Sequence, residues 1–363
     1  MRLSLFPLAA TLLAAAPLAH AAQSFVGSNL FYAAGLTDDE STTLFQGLQS
    51  AGIKVLRVWL DGHSGTVKGT QIDGFPSLES GSPGNFNDTV LSRYDDLMVK
   101  ANGYGIKLQI SLHSYNALSA TPPDIYGDWY GTGDFYTNSD AIQYFKNRIQ
   151  HVLEHVNPHT NKTWAESQEY IFAFEAENEA MHDQQNPSAL TDWQCTMASA
   201  IKDNLNGNTD ILVTTGGGAY LDNSLLDAYF SCDSLDILAI HAYGTGDFAT
   251  DKLQAYVSKA QSNNKKLIMQ EWGACYFDSD NNRCSPSSAL DQGTRESNIK
   301  TWADQISKAG IPWFYWQILP NEDPHEDWDY EVGIGGSSWS GLQSVANATT
   351  GYEAAFDYSS YLL

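Results

Sequence analysis

Eight short apolar runs alternate with amphipathic segments along one acidic chain, and this alternation predicts a (β/α)8 barrel. The 363-residue chain shows no internal repeat and no Pro/Ser-rich linker, so we expect a single folded domain over residues 22–363. A doubly wound sheet is the main alternative. It would need a glycine-rich phosphate-binding turn after an early strand, and Gly216–Gly218 lack the required spacing.

Each predicted strand is a run of four to seven mostly apolar residues bounded by turn or helix-cap signals. In chain order the predicted strands are Phe25–Phe31, Val55–Leu60, Lys107–Leu112, Tyr170–Glu175, Ile211–Thr215, Ile237–His241, Leu267–Glu271 and Trp313–Trp316.

The segments between these strands carry helical periodicity. The predicted helices are Glu40–Ala51, Thr89–Gly103, Asp140–Val156, Ser188–Leu205, Asp251–Gln261 and Thr294–Ala309. Thr37 with Glu40 predicts a capping box at the first helix. Gly52, Gly105 and Gly310 are each followed by isoleucine, which predicts the same helix-to-strand junction three times.

The amino terminus predicts a secretory signal peptide over residues 1–21. Arg2 precedes an apolar stretch, Leu3–Leu18, and a small-x-small cleavage pattern ends at Ala21. A membrane anchor is the alternative, but the stretch is short for a bilayer span and no longer apolar run follows. We therefore expect a secreted, extracellular protein without a membrane anchor.

The net charge narrows the class of partner. Forty-three acidic residues face nineteen basic ones, which gives a formal charge of −24. Because binding to phosphates needs basic patches, a nucleic-acid partner is not expected. A strongly acidic surface suits a soluble, monomeric protein that acts on a neutral substrate.

Four cysteines in an oxidising compartment predict two disulfides. Cys275 with Cys284 would close a short loop and leave Cys195 with Cys232, although three pairings are formally possible. A zinc site is the alternative, but no C-x-x-C pair supports it. We expect no cofactor or metal.

Three sequons predict N-glycosylation in a eukaryotic secretory pathway, at Asn87, Asn161 and Asn347. A fourth asparagine, Asn186, is followed by proline and is therefore blocked.

Polar and aromatic residues gather where the predicted strands end, which is the active-site face of a barrel. They are Arg57, Trp59, His113, Tyr115, Asn178, Glu179, His241, Tyr243, Glu271, Trp272 and Trp316. Taken singly, a strand-end glutamate is usually a solvated cap, and a histidine or tryptophan is often core. Their coincidence in one register predicts a site. Two glutamates on opposite sides of such a site are the minimum for cleaving a glycosidic bond.

These motifs resemble glycoside hydrolase family 5, within the clan of retaining (β/α)8 enzymes. The segment Phe25–Tyr32 is similar to the first strand of fungal endo-β-1,4-mannanases. Phe174–Glu179 resembles their W-E-L-x-N-E-P segment, and Phe314–Gln317 resembles their eighth strand. The similarity covers the chain after residue 21, with the shared residues at strand ends.

The resemblance implies that Glu179 is the general acid/base and Glu271 the nucleophile. Arg57 would keep Glu271 ionised, and Tyr243 would donate a hydrogen bond to it. Asn178 would bind the sugar 2-hydroxyl.

The resemblance also implies that His113 and His241 line the site and that Trp316 forms its apolar floor. Aromatic rings stack on sugar faces, so Trp59, Trp272 and Trp328 are further candidate platforms. The loop after the third strand is rich in such rings, and we expect half of them to pack only within the loop: Tyr115, Tyr126, Trp129, Tyr130, Phe135 and Tyr136.

Strand geometry sets a condition on the site. Alternation would send Asn178 and Glu179 to opposite faces, so the strand must bulge or end before them. Glu175 would lie inside the barrel and must be paired or protonated, because an isolated buried charge is too costly.

Departures from the mannanase pattern leave the substrate open. Ala180 stands where those enzymes usually have proline, and Gly216–Tyr220 where they have an acidic residue. The sequence therefore predicts an endo-acting β-glycanase, with β-1,4-mannan as the first substrate. Cellulose-type, mixed-linkage or β-1,6-linked glucan or galactan is the alternative, and a catalytically inactive sugar-binding barrel is a further one.

Overall fold

Eight parallel strands close into a barrel in the computed structural model, which describes residues 22–182 and 184–363. The barrel strands are β1 Val26–Asn29, β2 Ile53–Trp59, β3 Lys107–Ser111, β4 Ile171–Glu175, β5 Leu212–Thr214, β6 Ile237–His241, β7 Lys266–Trp272 and β8 Trp313–Tyr315. They neighbour one another in chain order, and β1 closes the ring against β8. The predicted fold class is confirmed. The predicted signal peptide, residues 1–21, lies outside the described residues.

Helices follow the strands around the barrel. The long helices are α1 Asp38–Ser50, α2 Thr89–Gly103, α3 Ser139–Glu154, α4 Pro187–Asn204, α5 Thr250–Ser262, α6 Gln292–Lys308 and α7 Trp339–Thr349. After β5 two short helices, Leu221–Ser224 and Asp227–Phe230, take the place of a long one. All eight strands and the first six long helices match predicted elements to within two residues.

The sequence signals at helix ends act as expected. The Thr37 hydroxyl accepts a hydrogen bond from the backbone N–H of Glu40, and the Glu40 carboxylate accepts one from the backbone N–H of Thr37, which completes the capping box. Gly52, Gly105 and Gly310 have φ of +70°, +76° and +81°. These left-handed conformations end the helix before each strand and explain the glycine at each junction.

Small elements decorate the loops of the barrel. An antiparallel hairpin, His63–Val67 with Thr70–Phe75, follows β2. The loop after β3 contains the helices Tyr115–Leu118 and Ile125–Asp134. Two-residue strands pair as Val156–Asn157 with Lys162–Thr163 and as Ile318–Leu319 with Val332–Gly333. Short 3-10 turns lie at Ala33–Gly35, Trp164–Glu166, Thr245–Phe248, Asp280–Asn282 and Ser359–Tyr361.

Both expected disulfides are present. Cys195 in α4 bonds to Cys232, just after the short helix Asp227–Phe230, and Cys275 bonds to Cys284 across the loop after β7. The second bond closes a loop at one wall of the site. This pairing confirms the prediction from spacing.

The aromatic loop after β3 is anchored in the core. Tyr126, Phe135 and Tyr136 are fully buried, and Phe135 contacts Phe145 of α3 and Trp193 of α4 through its ring. Three of the six rings therefore hold the loop in place, but they do so by packing against helices α3 and α4 and not only within the loop. Within the described residues, none of the helices is both long enough and apolar enough to cross a membrane.

Candidate active site

A cavity of about 1040 Å³ opens at the carboxyl ends of the barrel strands. Both glutamates singled out from the sequence, Glu179 and Glu271, lie in its lining, together with Asn178, Tyr243 and Trp316. This volume is at the upper end of the range for small-molecule pockets, and the cavity is open at the surface. It therefore suits a segment of a polymer better than a single small ligand.

The two glutamates face one another across this cavity. One carboxylate oxygen of Glu179, one of Glu271 and a ring nitrogen of His241 all lie within 4.8 Å of one another. Strand β4 ends at Glu175, and Asn178 makes only an isolated bridge to Ser114. Because the strand has ended, alternation no longer applies, and Asn178 and Glu179 both reach the cavity.

Arg57 is the hub of the buried charges below the cavity. Its Nε and Nη2 donate to Glu175, at 3.1 and 2.5 Å. Nη1 donates to Glu271 Oε1 at 2.6 Å and to Asn29 Oδ1 at 3.1 Å, and Nη2 also reaches Asn178 Oδ1 at 2.7 Å. All five N–H groups of the guanidinium are therefore used, which fixes the planes of its neighbours.

Glu175 has the partners that its burial requires. Besides Arg57, the side-chain amides of Gln109 and Gln270 donate to its Oε2 at 2.9 and 2.7 Å. Sequence reasoning did not assign a role to either glutamine. The available signal was a polar residue inside a buried strand, since both are fully buried in β3 and β7.

The environment of Glu271 balances opposing effects. Burial and the nearby Glu179 carboxylate raise the pKa of Glu271, while His241 and Arg57 lower it. Tyr243 Oη donates to Glu271 Oε2 at 2.9 Å, which also favours the ionised form. The net direction of the pKa is upward, so burial and Glu179 together outweigh these donors.

Glu179 is bonded to two histidines. His182 Nδ1 lies 2.9 Å from its Oε2, and His241 Nδ1 lies 3.0 Å from its Oε1. Burial raises the pKa of Glu179, but these two hydrogen bonds lower it more, so the net shift is downward. His182 was not predicted from the sequence, because it lies in a loop three residues after the strand-end motif.

The tautomer of His241 follows from its other contacts. Gln270 uses its amide nitrogen on Glu175, so its Oε1 must accept a hydrogen from His241 Nε2 at 2.8 Å. A neutral His241 then has only a lone pair at Nδ1, and Glu179 must carry the proton between them. Burial lowers the pKa of His241, but Glu271 and Glu179 raise it more. The raised pKa of His241 and the lowered pKa of Glu179 instead place this proton on the histidine, which then donates through both ring nitrogens.

Aromatic rings form one side of the cavity. Trp59 and Trp316 both line it, with centroids 5.8 Å apart, and Phe31 stacks behind Trp316 at 5.9 Å. Trp328 also lines the cavity and is 65 % exposed. The rings of Trp59, Trp316 and Trp328 thus offer apolar faces to a bound sugar.

The expectation that His113 lines the site is wrong. Its imidazole is fully buried between Asp124 at 2.6 Å and Glu177 at 2.7 Å, away from the cavity lining. Burial lowers the pKa of His113, but the two carboxylates raise it to about 10. The link to the site is through the backbone, where the His113 carbonyl accepts from the N–H of Asn178.

Trp272 is also not a platform. It is fully buried and packs edge-on against Trp313 and Tyr315, under the cavity rather than in its lining. Tyr115 lies beside the site, where its ring stacks on His182 at 5.9 Å. Strand-end position located these residues correctly, but it does not say which face a side chain takes.

Comparison with known proteins agrees with this geometry. Residues 20–322 match the family model described as Cellulase (glycosyl hydrolase family 5). Mannan endo-1,4-beta-mannosidase A of Podospora anserina is 26% identical over 313 residues, which cover 78% of this chain and 79% of that protein. Mannan endo-1,4-beta-mannosidase 5 of Solanum lycopersicum is 29% identical over 242 residues, or 61% of this chain, but the match spans only 54% of that relative's length.

Solved structures share the fold. The endo-1,4-beta-mannanase of Rhizomucor miehei superposes with a TM-score of 0.67 at 21% identity, over 91% of this chain and 95% of that one. An endo-beta-1,4-mannanase of Thermotoga petrophila gives 0.68 at 20% identity, over 90% and 77%. The match of the family model to most of the sequence settles the relationship: this chain belongs to glycosyl hydrolase family 5.

Proposed function

We propose that the chain is a retaining, endo-acting β-glycoside hydrolase that cleaves a neutral polysaccharide, with β-1,4-mannan as its main substrate. The observation that carries the mechanism is the pair of carboxylate oxygens, on Glu179 and Glu271, within 4.8 Å. Retaining enzymes hold their two carboxyl groups about 5–5.5 Å apart, whereas inverting enzymes need about 6.5–9.5 Å to admit a water.

In the first step Glu271 attacks the anomeric carbon and forms a glycosyl–enzyme ester. The bond to the leaving oxygen breaks, and Glu179 gives that oxygen its proton. His241 supplies this proton to Glu179 through their 3.0 Å hydrogen bond. When a sugar covers the site and excludes water, the added burial opposes the downward shift of the Glu179 pKa and favours the protonated form that the step requires.

In the second step a water attacks the same carbon from the side of the leaving group. Glu179, now ionised, takes a proton from the water, and the ester bond to Glu271 breaks. Two inversions give net retention. Arg57 and Tyr243 stabilise the departing Glu271 carboxylate, because both donate hydrogen bonds to it.

The remaining groups position the sugar. Asn178 accepts from Arg57 with its Oδ1, so its amide N–H groups are left to face the cavity and the sugar 2-hydroxyl. Such a contact strengthens as charge develops on the ring. Trp316 presents an apolar face beneath the ring.

Mannan is proposed because relatives that match across most of the chain carry that activity in their names. One difference favours another β-glycan as the second candidate. The loop after β5, Gly216–Tyr220, offers the cavity Ala219 and an exposed Tyr220 ring where the mannanase pattern has an acidic side chain. A ring there suits stacking, which discriminates less between hexoses than a carboxylate does.

Secretion is part of the proposal. Residues 1–21 would act as the signal peptide and residues 22–363 as a monomeric catalytic domain. Two disulfides support an oxidising compartment. The sequon asparagines Asn87, Asn161 and Asn347 are all exposed, as glycosylation requires.

A polysaccharide screen tests the proposal. The wild-type protein is expected to release reducing ends fastest from mannan and galactomannan, with a rapid loss of viscosity that marks endo cleavage. Glucans and galactans serve as the comparison, and Glu179→Gln as the inactive control. Faster cleavage of another β-glycan would select the second candidate. If no β-linked glycan were cleaved, the functional proposal would fail.

His182→Ala is expected to shift the alkaline limb of the kcat/KM profile to higher pH. The lost hydrogen bond favours ionised Glu179, so its removal raises the pKa of the general acid. More Glu179 then stays protonated on the alkaline side of the optimum, and activity there rises severalfold relative to the optimum. The profile would be measured on a soluble β-linked oligosaccharide.

His159→Ala is the matched control. The two histidines are similarly exposed, His159 at 47% and His182 at 45%. Each forms a hydrogen bond to a carboxylate, His159 to Asp96 and His182 to Glu179. Its loss should leave the profile unchanged. If the alkaline limb of His182→Ala stays in place or moves to lower pH, His182 does not lower the pKa of Glu179.

A further inference from the structure

A second group of charged side chains lies outside the active site, in the loop that follows β8. Asp323, His325 and Asp329 each place one ligand atom within 4.8 Å of the other two. We call them the β8-loop cluster. The same loop carries Trp328 and Tyr330 into the lining of the active-site cavity. A small cavity of about 30 Å³ reaches the cluster and is lined by Asp323, His325 and Glu331 among others.

The cluster has buried oxygens that receive no hydrogen bond. Asp329 is fully buried and Asp323 is 6 % exposed, yet Asp329 Oδ1 and Asp323 Oδ2 accept none from the described residues. Buried polar atoms are nearly always satisfied by protein, water or an ion. Two such oxygens in one cluster therefore point to a ligand.

The neighbouring cationic side chains, Arg295 and His325, do not supply hydrogen bonds to both of these oxygens. Arg295 Nη2 lies 3.8 Å from Asp329 Oδ1, too far for a hydrogen bond, and the guanidinium donates instead to the carbonyls of Ala274 and Glu331. His325 Nδ1 lies 2.7 Å from Asp329 Oδ2 and 3.4 Å from Asp323 Oδ2. One N–H cannot serve both carboxylates.

The cluster is held in place before any ligand arrives. The His325 ring stacks on Tyr276 with centroids 3.5 Å apart and planes at 4°. The backbone N–H of His325 donates to Asp323 Oδ1, and the carbonyl of Asp329 accepts from the N–H of Tyr276. Such fixed orientation is what a metal site requires of its ligands.

We propose that the β8-loop cluster binds a divalent cation of the Zn²⁺ or Mn²⁺ type. Two carboxylates and one imidazole match those ions, whereas Ca²⁺ prefers oxygen ligands alone. The cation takes the lone pair of His325 Nδ1, which gives up its proton to solvent, and one oxygen from each aspartate, while waters complete its shell. It would fix the loop that presents Trp328 to the substrate. The proposal is independent of the reaction assigned to the active site.

Metal titration of the chelator-treated full chain tests this site. Zn²⁺ or Mn²⁺ at about 100 times its Kd is expected to raise the melting temperature by about 3–6 °C. The electron paramagnetic resonance signal of free Mn²⁺ should fall by one equivalent. Asp323→Asn and His325→Gln should each abolish both responses, and the melting temperature of each variant without metal shows that it is folded.

Asp304→Asn is the matched control, because Asp304 is a partly exposed aspartate paired with Lys308 elsewhere on the surface. It should respond to metal as the wild type does. A wild-type protein with an unchanged melting temperature and an unchanged Mn²⁺ signal at millimolar metal would overturn the proposal. So would full responses in both cluster variants, since the ion would then be bound elsewhere, for example between Glu179 and Glu271.

Discussion

Glu271→Ala is expected to lower kcat by more than about 10⁴-fold, beyond the 10²–10⁴-fold that acid–base assistance alone contributes. Without this carboxylate no glycosyl–enzyme ester forms. The barrel should still fold, because Arg57 keeps Glu175 as its principal ion-pair partner. Turnover would be measured on an aryl β-glycoside of the substrate's repeating sugar, whose leaving group departs without protonation.

Azide separates the two carboxylate roles. In Glu271→Ala, azide entering the vacated space should restore turnover and give the α-glycosyl azide by a single inversion. In Glu179→Ala the ester still forms, so azide should attack it from the opposite side and give the β-glycosyl azide. The two variants thus control for each other. The reverse pattern of products would exchange the roles of Glu179 and Glu271, and no rescue in either would contradict double displacement.

The sequence was enough to place the site because strand order and strand ends are local properties. Apolar runs flanked by capping and glycine signals located all eight strands, and Glu179, Glu271 and Trp316 then followed as residues at their carboxyl ends. The barrel forces those ends together. The requirement that the strand bulge or end before Asn178 and Glu179 could also be predicted, since it follows from the alternation of side chains along a strand alone.

What the sequence could not show depends on contacts across the closed barrel. His113 and Trp272 stand at strand ends like their neighbours, but one turns toward Asp124 and the other toward Trp313, and only the tertiary packing decides this. The tautomer of His241 is likewise set by Gln270, which is held in turn by Glu175 on another strand. Such chains of hydrogen bonds have no signature in local sequence.

The buried network also explains why an internal charge is tolerated. Arg57 is completely buried, and its single positive charge is shared by Glu175 and Glu271. Two carboxylates thus face one cation. The excess negative charge is stabilised by hydrogen bonds from neutral donors, the side-chain amides of Gln109 and Gln270 and the hydroxyl of Tyr243. The orientation of Glu271 and the stability of the barrel are therefore coupled through one side chain.

Arg57→Met should lower the free energy of unfolding by about 3–5 kcal/mol, because removing one partner of a buried ion pair leaves an uncompensated charge. Methionine keeps most of the volume, so cavity formation adds little. The loss would be measured by urea denaturation at neutral pH. It should narrow as the pH falls, because the pKa of Glu271 is raised by burial and its protonation removes uncompensated charge.

Arg93→Met is the control for the same chemical change at a partly exposed site. Arg93 pairs with Asp73, which is largely solvent-exposed, and also donates to three backbone carbonyls, so this loss should be smaller than that of Arg57→Met because no buried charge is left unpaired. The contrast between the two variants isolates the effect of burial. Equal losses would mean that Glu175 and Glu271 are stabilised without Arg57, by their neutral hydrogen-bond donors. Arg57 would then orient the nucleophile without setting the stability of the barrel.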